Sequence, residues 1–317
     1  MRIAFASCMF NRVFADQPVW DWVAAQQPDH LVLLGDSFYL DVLGPKPPQD
    51  MNDLEFAQHL FDLYRELMAQ PRFGALVKAA GAPQVHAIWD DHDFLWNDVC
   101  GAEMHPVHTG KVRLTTAFLE AFRAALKAKL APGSFPASPL DAAFWNPAQP
   151  ALTTPSVALA PDVRLHLSDG RTFRTRTHFL EERKRTVFGP DQRATLGAAI
   201  ESAPGAVHLF ASGSTIAGYQ RYARDLAWLK NLAARRRMLV LSGDIHRNEL
   251  DAFYTGGLPL HEATSSGAAL RDAVIVGSTR KNFGLLDIDA GQVGIRLFAR
   301  GVVEQQRVLA RQTWLPM

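Results

Sequence analysis

Four short, largely apolar runs end in side chains that can bind metal ions, and this pattern restricts the fold more than any other feature of the sequence. Runs of this kind are typical of β-strands that are buried on both faces. They cover residues 3–6, 31–34, 84–89 and 238–241. The residues that follow them are Ser7-Cys8, Gly35-Asp36, Asp90-Asp91-His92-Asp93 and Ser242-Gly243-Asp244-Ile245-His246. Because ligand sites in open α/β sheets lie beyond the carboxyl ends of strands, we expect these side chains to meet in one pocket.

Helical periodicity separates the apolar runs in the first half of the chain. Residues 54–68 and 112–130 both show the spacing of amphipathic helices. After Gly243 the pattern changes to short strands joined by turns that contain glycine. The sequence therefore predicts an α/β fold with two packed mixed β-sheets flanked by helices and a strand-rich C-terminal part. We expect a single domain over residues 1–317, with an irregular insertion rich in proline and alanine at about residues 131–161.

Composition argues against several classes of protein. Lys plus Arg number 33 and Asp plus Glu number 32, so a net charge of +1 gives no reason to expect a nucleic-acid or membrane-surface partner. Cys8 and Cys100 do not form a disulfide scaffold, although one bridge between them stays open, and Cys100 has no predicted role. No apolar run reaches the roughly 20 residues of a membrane helix. The N-terminus is typical of a core strand and not of a signal peptide, so we expect cytoplasmic residence unless a leader was removed; the oligomeric state is left open.

Each motif alone also has a purely structural explanation. Cys8 suits an apolar core, since free cysteine is among the most buried residue types. Asp36 suits a turn or a helix cap, and His246 suits a hydrogen-bonded structural histidine. The three carboxylates around His92 are harder to explain, because like charges so close together oppose ionisation unless cations neutralise them. Taken together, the four motifs favour a metal site over packing.

The motif set resembles a known enzyme family. The matching stretches are Ser7-Cys8, Gly35-Asp36 with Tyr39, Trp89-Asp90-Asp91-His92-Asp93, Asp169 with Arg171 and Arg174, Gly189 to Gln192, and Ser242-Gly243-Asp244-Ile245-His246. They resemble the calcineurin-like metallophosphoesterases, and more closely the alkaline phosphatase D (PhoD-like) branch. There are departures: Asp93 stands where the branch more often has Glu, and the run at 207–211 begins with His208 nearby and does not end in the metal-binding His of the superfamily.

The resemblance implies a centre with two metal positions. Asp36 would bridge the two positions. The first would be completed by Cys8, Tyr39 and His246, and the second by Asp91 and Asp244, with Asp90 a rival for Asp91. Thiolate, phenolate and imidazole suit a Lewis-acidic transition ion, and the resemblance implies Fe³⁺. The oxygen ligands of the second position suit Ca²⁺, Mg²⁺ or Mn²⁺.

The implied activity is that of a metal-dependent phosphatase or phosphodiesterase, which hydrolyses phosphate mono- or diesters by attack of a metal-bound hydroxide. His92, next to the ligands, would protonate the leaving oxygen. Asn97 and Arg171 are candidates for holding the phosphate of the substrate.

Two other functions stay open. Leu34-Gly35-Asp36-Ser37 superficially resembles the Gly-Asp-Ser block of lipase-like hydrolases, which would make Ser37 the nucleophile of a serine esterase. That block normally ends the first strand, however, and here a strand and a helix precede it. The second possibility is a catalytically silent metal-binding protein with the same fold. Replacement of Ser37 by alanine separates the first of these from a metalloenzyme.

Overall fold

The chain alternates strands and helices and then ends in a run of strands. The computed structural model describes residues 1–148, 152–271 and 279–317. Its α-helices are α1 (Val19–Ala25), α2 (Asp53–Ala69), α3 (Pro71–Lys78), α4 (Asp91–Phe94), α5 (Gly101–Val107), α6 (Thr109–Lys127), α7 (Gly189–Glu201) and α8 (Ala223–Ala233). Its strands are β1 (Arg2–Ala6), β2 (His30–Leu34), β3 (Gln84–Ile88), β4 (Ser156–Ala160), β5 (Val163–Leu167), β6 (Val207–Ser212), β7 (Arg237–Ser242), β8 (Asn248–Phe253), β9 (Leu260–Ser265), β10 (Leu270–Arg271), β11 (Thr279–Arg280), β12 (Asn282–Ile288), β13 (Gln292–Ala299) and β14 (Val302–Ala310). Short 3₁₀ helices lie at Pro48–Asp50, Glu182–Lys184 and Ile216–Arg221.

Two mixed six-stranded sheets form the framework. The first sheet has the order β14-β13-β12-β1-β2-β3, in which β1, β2 and β3 are parallel and β12 joins β1 antiparallel. The second sheet has the order β4-β5-β6-β7-β9-β8, in which β5, β6, β7 and β9 are parallel and both edge strands are antiparallel. The predicted α/β class with two mixed sheets and a strand-rich C-terminal part is confirmed.

The two sheets pack against each other through alternate side chains of their strands. Ile3, Phe5 and Val32 of the first sheet share a buried cluster with Leu209 and Leu241 of the second. Because successive side chains of a strand point to opposite faces, the intervening residues must find other partners. In the first sheet these residues pack beneath α1, α2, α3 and α6, and in the second they pack beneath α7 and α8. Both faces of the central strands are therefore covered, which explains their continuous apolar runs.

The end of the expected irregular insertion is a strand. Residues 156–160 form β4, which pairs antiparallel with β5, so the irregular stretch does not reach residue 161. Val157 and Leu159 pack against the cluster between the sheets, and this burial outweighs the low strand propensity of alanine. Residues 149–151 of the expected insertion lie outside the described residues.

Helices α3, α4 and α5 are absent from the sequence-based assignment, while the long helices lie where they are expected. In α2 the capping residue is Asn52, whose side chain accepts the Glu55 N–H while the Glu55 carboxylate accepts the Asn52 N–H. Such a capping box satisfies two backbone donors that a helix start otherwise leaves unpaired. Within the described residues, no helix combines the length and apolar character required to cross a membrane.

Candidate metal centre

Cys8 and Asp36 follow the neighbouring parallel strands β1 and β2, and their side chains meet. The Cys8 sulfur lies 3.4 Å from Asp36 Oδ2 and 3.2 Å from the Ser266 hydroxyl. Cys8 is fully buried and Asp36 is 1% exposed. Burial raises the pKa of the Cys8 thiol, and burial together with nearby Cys8 and Asp91 raises the pKa of Asp36 well above its ordinary value. A cation is the simplest way to keep both groups ionised in this position.

Tyr39 and His246 lie next to this pair. The Tyr39 hydroxyl is 3.4 Å from Nε2 of His246, and its ring packs against His92 with 4.3 Å between centroids. Burial, followed by the charges of Cys8 and Asp36, raises the pKa of Tyr39 well above its ordinary value. The four side chains predicted for the first metal position thus occupy adjoining places, although they come from three separate parts of the sequence.

Asp91, at the start of α4, faces Asp36 from the end of β3. Ligand atoms of Asp36, Asp91 and His92 all lie within 4.8 Å of one another, which is a spacing that suits a metal ion. Asp91 Oδ2 accepts the N–H of Asp98, and its Oδ1 lies 3.3 Å from Nη2 of Arg171. Burial alone would raise the pKa of Asp91, but Arg171 and His92 lower it below its ordinary value.

Asp90, the rival for Asp91, is held by an ion pair. Arg171 Nε donates to Asp90 Oδ1, and both side chains are almost fully buried. Burial raises the pKa of Asp90, although Arg171 opposes this shift. Arg171 contacts both carboxylates, but at 2.5 Å it is closer to Asp90 than to Asp91, which lies 3.3 Å away. Asp91 also belongs to the group of ligand atoms that includes Asp36, so it is the better ligand candidate of the two.

Asp93 supports the backbone of the motif. Its Oδ1 accepts the N–H of Asp90 and its Oδ2 accepts the N–H of Ser37, so this carboxylate ties the end of β2 to the end of β3. Burial raises the pKa of Asp93 to about 7. The shorter Asp in place of Glu therefore has a structural contact of its own within the cluster.

His92 is held by Asp41, a carboxylate for which no role was predicted. Its Nδ1 lies 2.6 Å from Oδ1 of Asp41, and Oδ2 of Asp41 accepts the N–H of Asn97. Burial lowers the pKa of His92, but the hydrogen bond to Asp41 and the charge of Asp91 outweigh burial and raise it overall. Asp41 thereby fixes the orientation of the ring and favours its protonated form.

Asp244 and Arg171 border an open cavity of about 660 Å³ beside these groups. Asp244 exposes surface to the cavity, yet burial by the surrounding protein and the charges of Asp90 and Asp91 raise its pKa to about 7. Asn97 also lines this cavity, and its side-chain amide donates to Asp98 at 3.4 Å. Of the predicted site residues, Asn97, Arg171 and Asp244 therefore line this cavity.

The backbone at four predicted ligands adopts a conformation that is unfavourable for residues other than glycine. Cys8, Asp36, Asp244 and His246 have φ angles of 60°, 50°, 75° and 55°. Strained backbone of this kind persists only where the surrounding structure enforces it, and it is concentrated at functional sites. The turns after β1, β2 and β7 thus share a positive φ angle, which sets the direction of the side chains of these residues.

Close approach of the loops accounts for two glycines in this region. Gly35 has a φ of 96°, and a Cβ atom there would overlap the backbone of Asp90. A Cβ atom on Gly213, after β6, would overlap the Asp90 carboxylate. Because Asp90 fills the space beside Gly213, no larger side chain fits at this position.

The donor set fits two cations of different character. Cys8 and Tyr39 with His246 lie on one side of Asp36, and Asp91 and His92 lie on the other. Asp91 Oδ1 is buried and accepts no hydrogen bond, which leaves a lone pair for a cation. The residues present therefore suit a metal centre.

The fold can be compared with solved structures. No protein-family model matches the sequence, and no curated protein matches it. The solved structure of PhoD superposes with a TM-score of 0.67 at 13% sequence identity, over 100% of this chain and 71% of that chain. The chain has the fold of PhoD. The resemblance proposed from the motifs is thus confirmed at the level of the fold.

Two further solved structures are similar to a lesser degree than that of PhoD. Vps29 from Entamoeba histolytica, complexed with Zn²⁺, gives a TM-score of 0.35 at 10% identity, over 98% of this chain and 99% of that chain. YfcE, a phosphoesterase from E. coli, gives 0.33 at 13% identity, over 96% and 98%. Scores this low carry no weight for the fold or the site.

Sequence reasoning missed the residues that hold the site groups in position. Asp41 binds His92 across 51 residues of sequence, and Ser214 binds both Arg171 and Arg174 across about 40. A carboxylate five positions after Asp36 was a signal for Asp41, but only the pairing of β2 with β3 brings it to His92. Nothing in the sequence identified Ser214.

Proposed function

We propose that this protein is a metal-dependent phosphoesterase that hydrolyses phosphate mono- or diesters. The convergence of Cys8, Asp36 and Asp91 at the ends of three adjacent parallel strands supports this function most directly. A structural core would leave neither a buried, unbonded carboxylate oxygen nor strained ligand backbones beside an open cavity. The fold shared with PhoD, which agrees with the motif resemblance to the alkaline phosphatase D branch, supports the proposal.

Asp36 is the group that two cations would share. Cys8, Tyr39 and His246 would complete the first position, and Asp91 and Asp244 the second. We propose Fe³⁺ for the first position and Ca²⁺, Mg²⁺ or Mn²⁺ for the second, from the chemistry of the ligands. When bound, such cations supply Lewis acidity, which lowers the pKa of a coordinated water and offsets charge on a phosphoryl group.

The chain's own residues would bind the substrate and move a proton. His92, held through Nδ1 by Asp41, would protonate the leaving oxygen from its other ring nitrogen. Arg171 and Asn97, on the cavity wall, would hold the phosphoryl oxygens. Arg171 Nη1 is buried without a hydrogen-bond partner, so this donor is available to an anion.

Replacement of Asp36 by asparagine tests the function. We expect Asp36→Asn to lose both bound metal and phosphoesterase activity, because the amide cannot provide a bridging negative charge. The matched control is Asp225→Asn, which changes a buried carboxylate that pairs with Arg193 away from the centre. Metal analysis and ester hydrolysis are measured on both. If Asp36→Asn retains activity, Asp36 has no bridging role.

The visible spectrum tests the first metal. A ferric ion bound by the Tyr39 phenolate should give a coloured protein, whereas zinc or calcium should not. Tyr39→Phe should remove the colour and retain the metal at the second position. A colourless, fully active protein with unchanged metal content would exclude the ferric assignment.

The alternative functions give different results. In a serine esterase Ser37→Ala abolishes activity, whereas we expect a mild effect because Ser37 is 3% exposed and the nearby histidines contact Asp41 and Tyr39 instead. Bound metal without turnover of any phosphate ester would instead favour a catalytically silent metal-binding protein.

A further inference from the structure

A row of contacts leads from the metal-ligand candidates outward along the cavity wall. Arg171 Nη2 lies 3.3 Å from Asp91 Oδ1 and 3.5 Å from the Ser214 hydroxyl. On the other side of Ser214, Nη2 of Arg174 donates to the same hydroxyl at 2.8 Å. The Arg174 guanidinium lies 5.9 Å from the ring centroid of Tyr222. In this row of contacts, the guanidinium of Arg174 therefore comes after that of Arg171 as seen from Asp91.

The charges of this wall are unequally neutralised. Arg171 pairs with Asp90 and Asp91, and Arg176 pairs with Glu103. Among the described residues, Arg174 in contrast donates only to neutral oxygens, those of the Ser214 hydroxyl and the Gly170 carbonyl.

Arg221, at the rim of the same cavity, is exposed and forms no ion pair with the described residues. A partly buried guanidinium without a carboxylate partner is a ready site for an anion. Arg174 and Arg221 together therefore give the outer wall of the cavity an excess of positive charge.

We propose that Arg174 and Arg221 form a subsite for a second anionic group of the substrate. The substrate class is then a phosphate ester that carries a further phosphate on the part of the molecule that extends away from the metal centre. This inference rests on the proposed phosphoesterase function, because the first phosphoryl group must occupy the centre. Tyr222 contributes an aromatic face beside Arg174, against which the connecting part of the substrate packs.

Arg174 lies further along the wall than Arg171. Its Nη2 donates to the Ser214 hydroxyl, which lies 3.5 Å from Nη2 of Arg171. Arg174 and Arg221 line the same cavity as Arg171 and Asp244, so a substrate bound at the centre can place a second anionic group against them.

Binding of unreactive phosphonates to the metal-loaded protein tests the subsite. Isothermal calorimetry compares butylphosphonate with a series of α,ω-bisphosphonates whose linkers extend from ethane to hexane. We expect one linker length to bind about ten-fold more tightly than butylphosphonate, as charge-assisted hydrogen bonds of ordinary strength provide. Very short bisphosphonates are left out because they chelate the metals directly.

Three variants locate the effect. Arg174→Gln and Arg221→Gln should each reduce the preference for the bisphosphonate by about five-fold or more, and Arg174→Lys should restore part of it. Arg176→Gln is the matched control, since Arg176 lines the same cavity but is paired with Glu103. Arg221 is exposed, so Arg221→Gln stays informative even if Arg174→Gln folds poorly.

The outcomes are distinct. A bisphosphonate preference that falls in both subsite variants and persists in Arg176→Gln supports the subsite. Equal affinity of all the phosphonates for the wild-type protein overturns the subsite and leaves the proposed function intact. A preference that survives both variants shows that the second anion binds elsewhere. If no phosphonate binds and no phosphate ester is hydrolysed, the proposed function fails, and the subsite with it.

Discussion

Hydrogen bonds and ion pairs of individual carboxylates hold the groups of this site in position. Asp41 binds His92, Asp93 binds two backbone N–H groups, and Arg171 takes up the charge of Asp90. These contacts engage Asp41, Asp93 and Asp90 more closely than Arg171 engages Asp91, whose Oδ1 lies 3.3 Å from the guanidinium. Asp36, Asp91 and Asp244 are therefore the carboxylates that we propose as ligands.

Replacement of His92 tests its role as an acid. We expect His92→Asn to retain both metals and to slow hydrolysis of an alkyl ester by about 100-fold, since the loss of general acid catalysis falls on poor leaving groups. An activated aryl ester, whose leaving oxygen needs no proton, should be slowed far less. Rates for both esters and the metal content are measured together.

Asp41→Asn is the companion variant. It retains the imidazole but removes the carboxylate that orients it, so we expect an intermediate loss on the alkyl ester only. Equal losses on both esters would argue against an acid role. Loss of metal from His92→Asn would instead make His92 a ligand, as its proximity to Asp36 and Asp91 permits.

The sequence indicated the candidate ligands that directly follow strands, but not the residues that hold them in position. Cys8, Asp36, Asp91 and Asp244 were predictable because each follows a strand whose apolar run marks its end. Asp41 and Ser214 were not, because their roles depend on which loops the sheets bring together. Local sequence patterns report strand ends, but they do not report the partners that lie beyond them.

At the level of elements, the loops after β2, β3 and β6 interlock around the Asp90 carboxylate. Asp90 contacts Arg171, and both Gly35 and Gly213 approach it so closely that a Cβ atom would overlap it or its backbone. The two sheets therefore meet at the site through backbone as much as through side chains. A methyl group at this junction should disturb the ion pair and the metal ligands together.

Gly213→Ala tests this junction. We expect it to lower the free energy of unfolding by about 1–3 kcal/mol, as overpacking does, and to weaken metal binding. Gly205→Ala is the control, because nothing lies within 4 Å of a Cβ atom there. Urea unfolding and metal titration of both variants make the comparison. An unchanged Gly213→Ala protein would mean that the loops separate without cost.

The elements that sequence patterns missed are short. Helix α3 begins with Pro71 after Gln70, whose side chain accepts the Phe73 N–H, and this start signal is readable in the sequence. Helix α4 is a single turn made of the ligand motif itself, which has no hydrophobic period. Strand β4 exists because β5 offers it a partner. Long apolar periods predicted the rest of the fold.

A buried histidine pair on β5 and β6 gives the second sheet a dependence on pH. His208 Nε2 can only donate to the Ala203 carbonyl, so its Nδ1 accepts from His166 Nε2 at 2.9 Å, and His166 Nδ1 accepts from the Ser156 hydroxyl. Every ring nitrogen is thus used in the neutral state. Burial and the neighbouring positive charges lower the pKa of His166 to about 3 and that of His208 to about 4.

Acid should therefore destabilise the fold. The unfolded chain binds protons at these histidines below its ordinary pKa of about 6.5, whereas the folded chain does not until about pH 4. Stability should fall as pH drops through this interval, by up to about 1.4 kcal/mol per pH unit for each histidine. His208→Gln should flatten the dependence, and His105→Gln, an exposed residue, should not. Urea midpoints at several pH values decide between these outcomes.

At the scale of the whole molecule, the fold gives up stability to build the centre. Two helix-covered sheets bury their apolar strands almost completely, and at one shared edge they bring the carboxylates of Asp36 and Asp91 together. Sites of this kind are commonly less stable than an apolar filling would be. The free energy of unfolding should thus depend on bound metal. One substitution at the centre should be stabilising without metal and destabilising with metal.

Asp36→Asn is the substitution from which we expect this behaviour. In the presence of a chelator, the wild-type protein must hold Asp36 where burial and the charges of Cys8 and Asp91 raise its pKa well above the ordinary value. Asparagine removes that charge and can still accept the His92 N–H that Asp36 Oδ1 accepts at 3.3 Å. We therefore expect the variant to be more stable than the wild type without metal, by about 1–3 kcal/mol, the ordinary cost of leaving a buried polar group without a partner.

With metal the order should change. Ligands that bind only the folded state add stability in proportion to the logarithm of their concentration, and Asp36→Asn forgoes this gain. Urea unfolding in chelator and in excess metal gives the four values required. Asp225→Asn, which breaks a buried ion pair elsewhere, should be less stable than the wild type in both conditions. If Asp36→Asn is instead less stable than the wild type in chelator, the Asp36 carboxylate stabilises the fold by its hydrogen bonds. A carboxylate that is held in place for a cation should lower the free energy of unfolding when no metal is present.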